Sequence, residues 1–371
     1  MNPPLILLIG YYGKGNFGDD ILLRVAHALA LRAFPNAQFS VVVDGDAGDY
    51  VPRLLGPIEV LKPGRHGHFD MIIHGGGGVF FDFKRYGLFE RLKEYAVRLT
   101  GFGNFIAAEK IARKLVNKPR TSTDRRLGLG IGLGSYSAGS PRLRMSLPIL
   151  ADFDALWLRD SKSVQNAKRF SSILQAELIA GSDLAFLTEH WLPPHSVARA
   201  VNSRPKLGII LRDWPQELGG LPDATLQAIL AQLAQNYDLT GFVFDRHADP
   251  KMTTLLAPYR TVTWQPETMD IDDFVQQLAA QNVLLTSRFH GAICGACLGV
   301  ASVIVAIEPK LAQVATMLPQ ASVMVAADRP ETWAQAIAQA LTIPPEYIAM
   351  DVAKNRAASE AALKAMESWL Q

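Results

Sequence analysis

The sequence is short of several things, and each shortage excludes a class of protein. Only 2 of its 371 residues are cysteine, so no disulfide scaffold holds the fold and a reducing compartment is the expectation. Charged residues make up 19%, below the usual quarter. With 49% hydrophobic residues, that excludes a disordered chain and leaves enough apolar surface for a sizeable core. Net charge is nearly absent: 37 Lys and Arg against 35 Asp and Glu leave +2, which excludes a globally basic nucleic-acid binder. A long apolar run is missing too. The best membrane-span candidate, Gly291 to Ile307, has 17 residues including three glycines and a serine, and it reads better as a helix followed by a strand. The opening MNPPLILLIGYYGKG has neither a basic n-region nor a small-residue cleavage site, so no signal peptide is expected and the expected location is cytoplasmic.

What the chain does have is a regular alternation of short β-rich runs and helical segments. Strands are expected at Leu5–Ile9, Phe39–Val43, Met71–His74, Leu127–Gly132, Ala155–Leu158 and Leu178–Ala180. Six more are expected at Leu207–Leu211, Gly241–Phe244, Thr261–Trp264, Val283–Thr286, Ser302–Ile307 and Val323–Ala326. Most are continuous apolar runs, as strands buried on both faces of a parallel sheet are. Helical segments between them include Asp20–Phe34, Ser161–Phe170, Asp223–Gln235, Ile271–Gln281 and Glu331–Leu341. The pattern predicts an α/β protein of two doubly wound, Rossmann-like domains. The proline-rich stretch Leu187–Pro205 lacks periodicity and suits a linker. The expected domains are therefore 1–190 and 200–345, followed by a C-terminal helix within 346–371 with Ala358, Ala362, Leu363, Met366 and Leu370 on its apolar face. Two such domains facing each other would place ligands at the carboxyl ends of both sets of strands.

One segment departs from the average composition. Lys84 to Arg126 holds twelve Lys and Arg against four acids, a local +8 that leaves about −6 for the rest. Aromatic residues from Phe80 to Phe105 run into and through it. A solvated basic face around a few core aromatics is one reading. A surface for an anionic saccharide or lipid headgroup, with peripheral contact at the inner face of the cytoplasmic membrane, is the other.

Three constellations carry chemistry. Gly10 to Asp20 (GYYGKGNFGDD) follows the first strand and opens the first helix. Its glycines let backbone N–H groups approach a ligand, but the spacing is neither that of a dinucleotide fingerprint nor that of a P-loop. Asp19 and Asp20 sit where a helix cap belongs. Because two carboxylates would repel a phosphate, they suit sugar hydroxyls, with Gly15 and Asn16 beside them. His74 followed by Gly75–Gly78 is a second glycine-rich turn, in which Gly76 and Gly77 would allow close approach by an acceptor. Ser287-Arg288-Phe289-His290-Gly291-Ala292 lies between a strand and a small-residue helix. There an arginine clamp for an anion stands two residues from a titratable imidazole. Arg212, at the end of the first strand of the second half, and Glu308-Pro309-Lys310 would aim at the same cleft. Cys294 and Cys297 lie within a helix of small apolar residues and suit core packing. His66 and His68 have no further ligands at metal-site spacing, so no metal is expected.

In their order along the chain, these residues resemble the bacterial polysaccharide pyruvyl transferases. The likeness runs from Gly15-Asn16-Phe17-Gly18-Asp19-Asp20, through Gly75–Gly78, Arg159-Asp160-Ser161-Lys162-Ser163 and Ser182-Asp183-Leu184-Ala185-Phe186, to Ser287–Ala292 with Lys310. The resemblance implies a GT-B-like fold with phosphoenolpyruvate as donor co-substrate, no cofactor, and a saccharide acceptor, free or lipid-linked. It implies that Arg288 and His290 contact the donor, Phe289 between them, with Arg212 and Lys310 as further anion contacts. In the expected chemistry His290 protonates the methylene carbon and Asp19 or Asp20 serves as base. Acceptor contacts are then expected from Gly15, Asn16, Asp19, Gly76 and Gly77. The alternatives are a nucleotide-sugar glycosyltransferase of the same fold, in which Arg288 and Lys310 clamp a diphosphate, and a non-catalytic saccharide-binding relative. A nicotinamide dehydrogenase is disfavoured by the first glycine turn.

Overall fold

The structure, a computed structural model, describes residues 3–43, 50–64, 66–80, 121–134, 136, 141–192 and 204–370. Two all-parallel sheets organise them. The first contains β1 (Leu5–Ile9), β2 (Gln38–Val42), β3 (Glu59–Leu61), β4 (His68–Phe80), β5 (Ser122–Leu133), β6 (Ala155–Leu158) and β7 (Glu177–Ala180), in the order 3-2-1-4-5-6-7. The second contains β8 (Lys206–Ile210), β9 (Asp238–Val243), β10 (Arg260–Thr263), β11 (Val283–Thr286), β12 (Ala301–Ala306) and β13 (Ser322–Ala326), in the order 10-9-8-11-12-13. The apolar runs become central strands because both faces are covered: every residue of β6 and of β11 is buried. The helices are α1 (Phe17–Ala33), α2 (Val51–Leu55), α3 (Pro141–Leu150), α4 (Ser161–Lys168), α5 (Asp223–Leu233) and α6 (Pro250–Leu256), then α7 (Ile271–Ala279), α8 (Phe289–Cys297), α9 (Leu311–Met317), α10 (Trp333–Leu341) and α11 (Pro345–Met366).

Both sheets reverse direction of winding beside their first strand, between β1 and β4 and between β8 and β11. Crevices at such switch points, beyond the carboxyl ends of the strands, are where doubly wound sheets hold ligands. The two crevices meet. Phe17 inserts its ring among Phe244, Trp264 and Phe274 at centroid distances of 5.0, 5.1 and 4.4 Å. Its backbone N–H donates to Phe244 O at 2.9 Å. The first turn of α1 is thus packed onto the second sheet, which places Asp20 against Trp264, just past β10, and Asp19 near Arg288 and His290, just past β11.

Several elements differ from the sequence reading, β5 and β9 by starting five and three residues earlier than expected. α1 starts at Phe17 rather than Asp20, because the cap is Asn16, whose side chain accepts from Gly18 N. The glycines after His74 are not a turn but the continuation of β4, with a register shift between Gly77 and Phe80. β3 was not expected; three residues are too few for a pattern. α11 begins at Pro345, and its buried stripe is apolar at Ile348, Ala362 and Met366, continued by Leu370, with Ala358 and Leu363 half-buried. Between Ile348 and Ala362 it buries the polar Asp351, Asn355 and Ser359. Each has a partner: Asp351 accepts from Gln320 N and Ala321 N, Asn355 donates to Met317 O, and Ser359 donates to Asp183 O. Ser182 in turn donates to Asn355 Oδ1 at 2.8 Å, so α11 ties the end of the first sheet to the second. The linker expected at Leu187–Pro205 lies largely outside the described residues, at 193–203.

Candidate active site

A cleft of about 390 Å³ opens where the two switch points face each other. It is lined by the cationic side chains of Lys14, Arg142, Arg159, Arg212, Arg288 and Lys310, with His290, and by the acids Asp19, Asp245 and Glu308. Charge of one sign gathered in a low-dielectric cleft focuses an attractive field on an anion. Arg288 caps α8 from the end of β11 and lies against the fully buried Asp249, whose Oδ2 accepts from both Nε and Nη2. Asp249 is held in turn by Asp213 N at 3.1 Å. Burial pushes the Asp249 carboxyl up while Arg288 pulls it down. Arg212 and Lys310 share one carboxylate, Glu308 Oε1, at 3.2 and 2.9 Å. Burial lowers the Lys310 ammonium and Glu308 opposes it.

His290, in the first turn of α8, sits between the domains. Its Nε2 lies 3.6 Å from Oδ2 of Asp183 and is buried without a hydrogen-bond partner. On its other side the ring abuts Gly18, where a Cβ would fall 2.4 Å from Nδ1. Asp183 is wholly buried and also accepts from Arg159 at 3.2 Å and from Ala185 N at 3.1 Å. Burial acts to raise its pKa, but His290, Arg159 and that N–H together hold it below the usual carboxylate value. Arg159 stacks over Phe289 at 4.0 Å from the ring centroid. Phe289 therefore lines the cleft as the floor under a cation as well as a neighbour of His290.

Asp19 lines the cleft, and burial pushes its carboxyl up against the pull of His290, Lys310 and Arg288. Asn16 lines it too, reaching Asp245 Oδ2 at 3.4 Å. Asp20 does not. It turns into the core, where Oδ1 accepts from Tyr50 at 2.7 Å and Oδ2 accepts from Trp264 Nε1 at 2.8 Å. The expected catalytic role for Asp20 is thereby corrected: both oxygens are committed to structural hydrogen bonds, and the one to Trp264 joins the two halves of the chain. Gly76 and Gly77 are corrected as well. With φ of +33° and +90°, they bring β4 against α1, and a Cβ would meet Leu22 at 2.8 Å or Asp19 Oδ1 at 3.2 Å. Their glycines make room for a helix rather than a sugar; of that run Gly78 lines the cleft. Gly15 donates its N–H to Tyr50 at 3.1 Å and so supports the Asp20 contact.

Burial raises Asp20 to about 7, against the two hydrogen bonds and with help from Asp19 and Asp245. A carboxyl whose folded pKa is raised stabilises the fold most at low pH and loses that contribution as pH climbs from about 4 to about 7. Asp20→Asn is expected to remove that slope. Thermal melts at pH 5 and pH 8 should differ less in the variant than in wild type, and an unchanged difference would sink the assignment.

Several site residues had no role assigned from sequence: Asp183, Arg159 and Glu308, although their motifs were noticed, and Asp245 and Asp249. Their signal was position, at or just past strand ends, but only the packing shows which side chains meet. Of the basic segment, 81–120 lies outside the described residues. Arg125 and Arg126 are spent internally, Arg125 on Trp369 O and Arg126 on Asp152 and His74. Burial and Arg126 push His74 down to about 3. Cys294 and Cys297 are core residues, their thiols pushed up by burial. At the opposite end of the first sheet, His68 meets Asp70 and Asp124 in an exposed trio with ligand atoms within 4.8 Å of one another, a grouping created by strand pairing and invisible in the local spacing. No helix among the described residues is long and apolar enough to cross a membrane.

The two doubly wound sheets and the cleft between them define a GT-B-like fold. Similar solved structures include UDP-GlcNAc 2-epimerase from Methanocaldococcus jannaschii, at 11% identity and TM-score 0.54 over 91% of this chain and 92% of that one. The enzyme of that name from Neisseria meningitidis bound to UDP-GlcNAc follows at 11% and 0.53 over 98% of each. A glycosyltransferase from Rickettsia africae ESF-5 matches at 11% and 0.52, over 100% of this chain and 98% of that one. No curated protein matches the sequence. The family profile described as Polysaccharide pyruvyl transferase matches residues 16–309, and the chain belongs to that family of transferases.

Proposed function

We propose that the protein transfers the enolpyruvyl group of phosphoenolpyruvate onto two hydroxyls of a saccharide, forming a pyruvate ketal during assembly of a cell-surface polysaccharide. The observation that carries this reading is the His290–Asp183 pair set within a wall of Arg159, Arg212, Arg288 and Lys310. Phosphoenolpyruvate has a phosphate and a carboxylate, so its site needs at least two cations, and its carbon 2 becomes electrophilic only after the methylene carbon is protonated. His290 as imidazolium gives that proton, and Asp183 steadies the charged ring. One acceptor hydroxyl adds at carbon 2 and passes its proton to Asp19. The carbon–oxygen bond to phosphate then breaks with its electron pair leaving on phosphate, whose charge Arg288, Arg212 and Lys310 stabilise. The second hydroxyl adds at the carbon so freed and closes the ring. Of the two protons released, one restores His290 and the other leaves with phosphate.

Incubation with phosphoenolpyruvate and host glycans, followed by NMR, tests the reading. Phosphate release is expected to match the appearance of a ketal methyl signal. Transfer from a nucleotide sugar, with phosphoenolpyruvate untouched, would overturn it. Gly18→Ala offers a test of geometry, since a side chain there collides with the imidazole. Misplacing a reacting group by about 1 Å costs about a hundredfold, so kcat should fall by that order, while the overpacking lowers stability by about 1–3 kcal/mol; a kcat within twofold of wild type would count against the placement of His290.

A further inference from the structure

Beside the main cleft lies a second chamber of about 190 Å³, and the two share Gly78, Arg159, Glu308 and Lys310 as a common wall. α4 and the end of β5 contribute to its lining, which includes Asp160, Asn166 and Trp214. Asn166 is 1% exposed. Its Nδ2 donates to Leu133 O at 2.8 Å, which fixes the amide, and its Oδ1 is left buried with no hydrogen-bond partner. A buried acceptor without a donor is a standing demand for a ligand that donates.

Phosphoenolpyruvate is a poor answer to that demand: Arg159, Lys162 and Lys310 also line the chamber and suit an anion, but ionised phosphate and carboxylate groups only accept and leave the amide oxygen unmet. A hydroxyl donates and accepts at once. Trp214 is half-buried at the chamber wall, anchored through Nε1 to Leu218 O at 3.0 Å, and an indole face with a polar edge suits the C–H face of a sugar ring. The volume is below the roughly 300–1,000 Å³ of pockets for larger ligands, which fits one ring rather than a chain. We infer that this side chamber is the acceptor subsite, holding one monosaccharide ring with a hydroxyl donated to Asn166 and its face on Trp214. The ring's reacting hydroxyls then point across the shared wall toward the cleft of His290. This assignment rests on reading the main cleft as the donor site, and it replaces Gly76 and Gly77 as the source of acceptor contacts.

Wild type, Asn166→Leu and Trp214→Ala can be compared by calorimetry with phosphoenolpyruvate and by saturation-transfer NMR with methyl glycosides of galactose, glucose and mannose. At least one glycoside should bind wild type, and both variants should weaken it tenfold or more. The Kd for phosphoenolpyruvate should stay within twofold in Asn166→Leu; it is compared in that variant alone, because Trp214→Ala also removes the ring under Arg212. Absence of glycoside binding to wild type, or equal binding by both variants, would overturn the inference. Should Asn166→Leu fail to fold, as judged by melting, Trp214→Ala decides alone. If phosphoenolpyruvate fails to bind while the glycoside pattern holds, the donor reading falls and the sugar chamber stands.

Discussion

His290→Ala is expected to lower kcat for pyruvyl transfer by about 10²–10⁴-fold, the usual contribution of a general acid, while the Kd for phosphoenolpyruvate changes by no more than a few-fold. The separation follows from geometry. The anion is held by guanidinium and ammonium groups, whereas the imidazole is engaged by Asp183 at 3.6 Å and is not tied to any other described cation of the wall. Removing it therefore takes away proton delivery and little of the field. Asp183→Asn should reproduce part of the loss, because the ring would remain but would lose the carboxylate that lies 3.6 Å from Nε2. Acceptor-dependent phosphate release, measured at saturating phosphoenolpyruvate, gives the answer. Retention of more than about a tenth of wild-type kcat by His290→Ala would remove histidine from the proton transfer.

Arg288→Ala should damage the protein twice over, and the two effects can be pulled apart. The guanidinium is the partner of Asp249, which is completely buried. Breaking a buried pair from one side typically costs about 3–5 kcal/mol because the remaining charge is uncompensated. At about 2–4 °C per kcal/mol for domains of this size, the melting temperature should drop by roughly 10 °C. Binding of phosphoenolpyruvate should weaken by at least about tenfold, as expected when one charge-assisted contact is lost. Asp249→Asn combined with Arg288→Ala removes the stranded charge and is expected to recover most of the lost melting temperature. It should recover none of the affinity. Recovery of both would mean that Arg288 serves the fold and does not touch the donor.

How much could be read without coordinates varies from element to element. β6 and β11 were located to the residue, because a four-residue apolar run bounded by polar or turn residues has only one way to sit in a sheet. The start of α1 was misplaced by three residues, since Asn16, Asp19 and Asp20 are all competent caps and local chemistry does not rank them. The glycines of β4 were legible as a place of close approach but not as to what approaches. α1 crosses that strand through contacts between residues more than 50 positions apart, and no local pattern records such a distance. Asp19 and Asp20 make the point most sharply. They are adjacent, chemically identical and equally plausible as bases, yet successive positions on a helix point about 100° apart. One faces the cleft and the other faces Trp264 from the second domain.

The amino-acid order by itself determined the strand–helix alternation, the two-sheet α/β class, and the family block Ser287 to Ala292 with its arginine and histidine. These are local properties, set by side-chain periodicity and by the few residues a βα turn tolerates. Tertiary structure alone decided that His290 meets Asp183, that Arg212 and Lys310 share Glu308, and that Asn166 is left with an unmet acceptor beside Trp214. The meeting of His290 with Asp183, and of Asn166 with Trp214 in one chamber, depends on two switch-point crevices being pressed together by Phe17 and strapped by α11. Arg212, Lys310 and Glu308 are instead gathered by strands of the second sheet. Such contacts arise between segments far apart in the chain, where burial and close packing, rather than neighbouring residues, choose the partners.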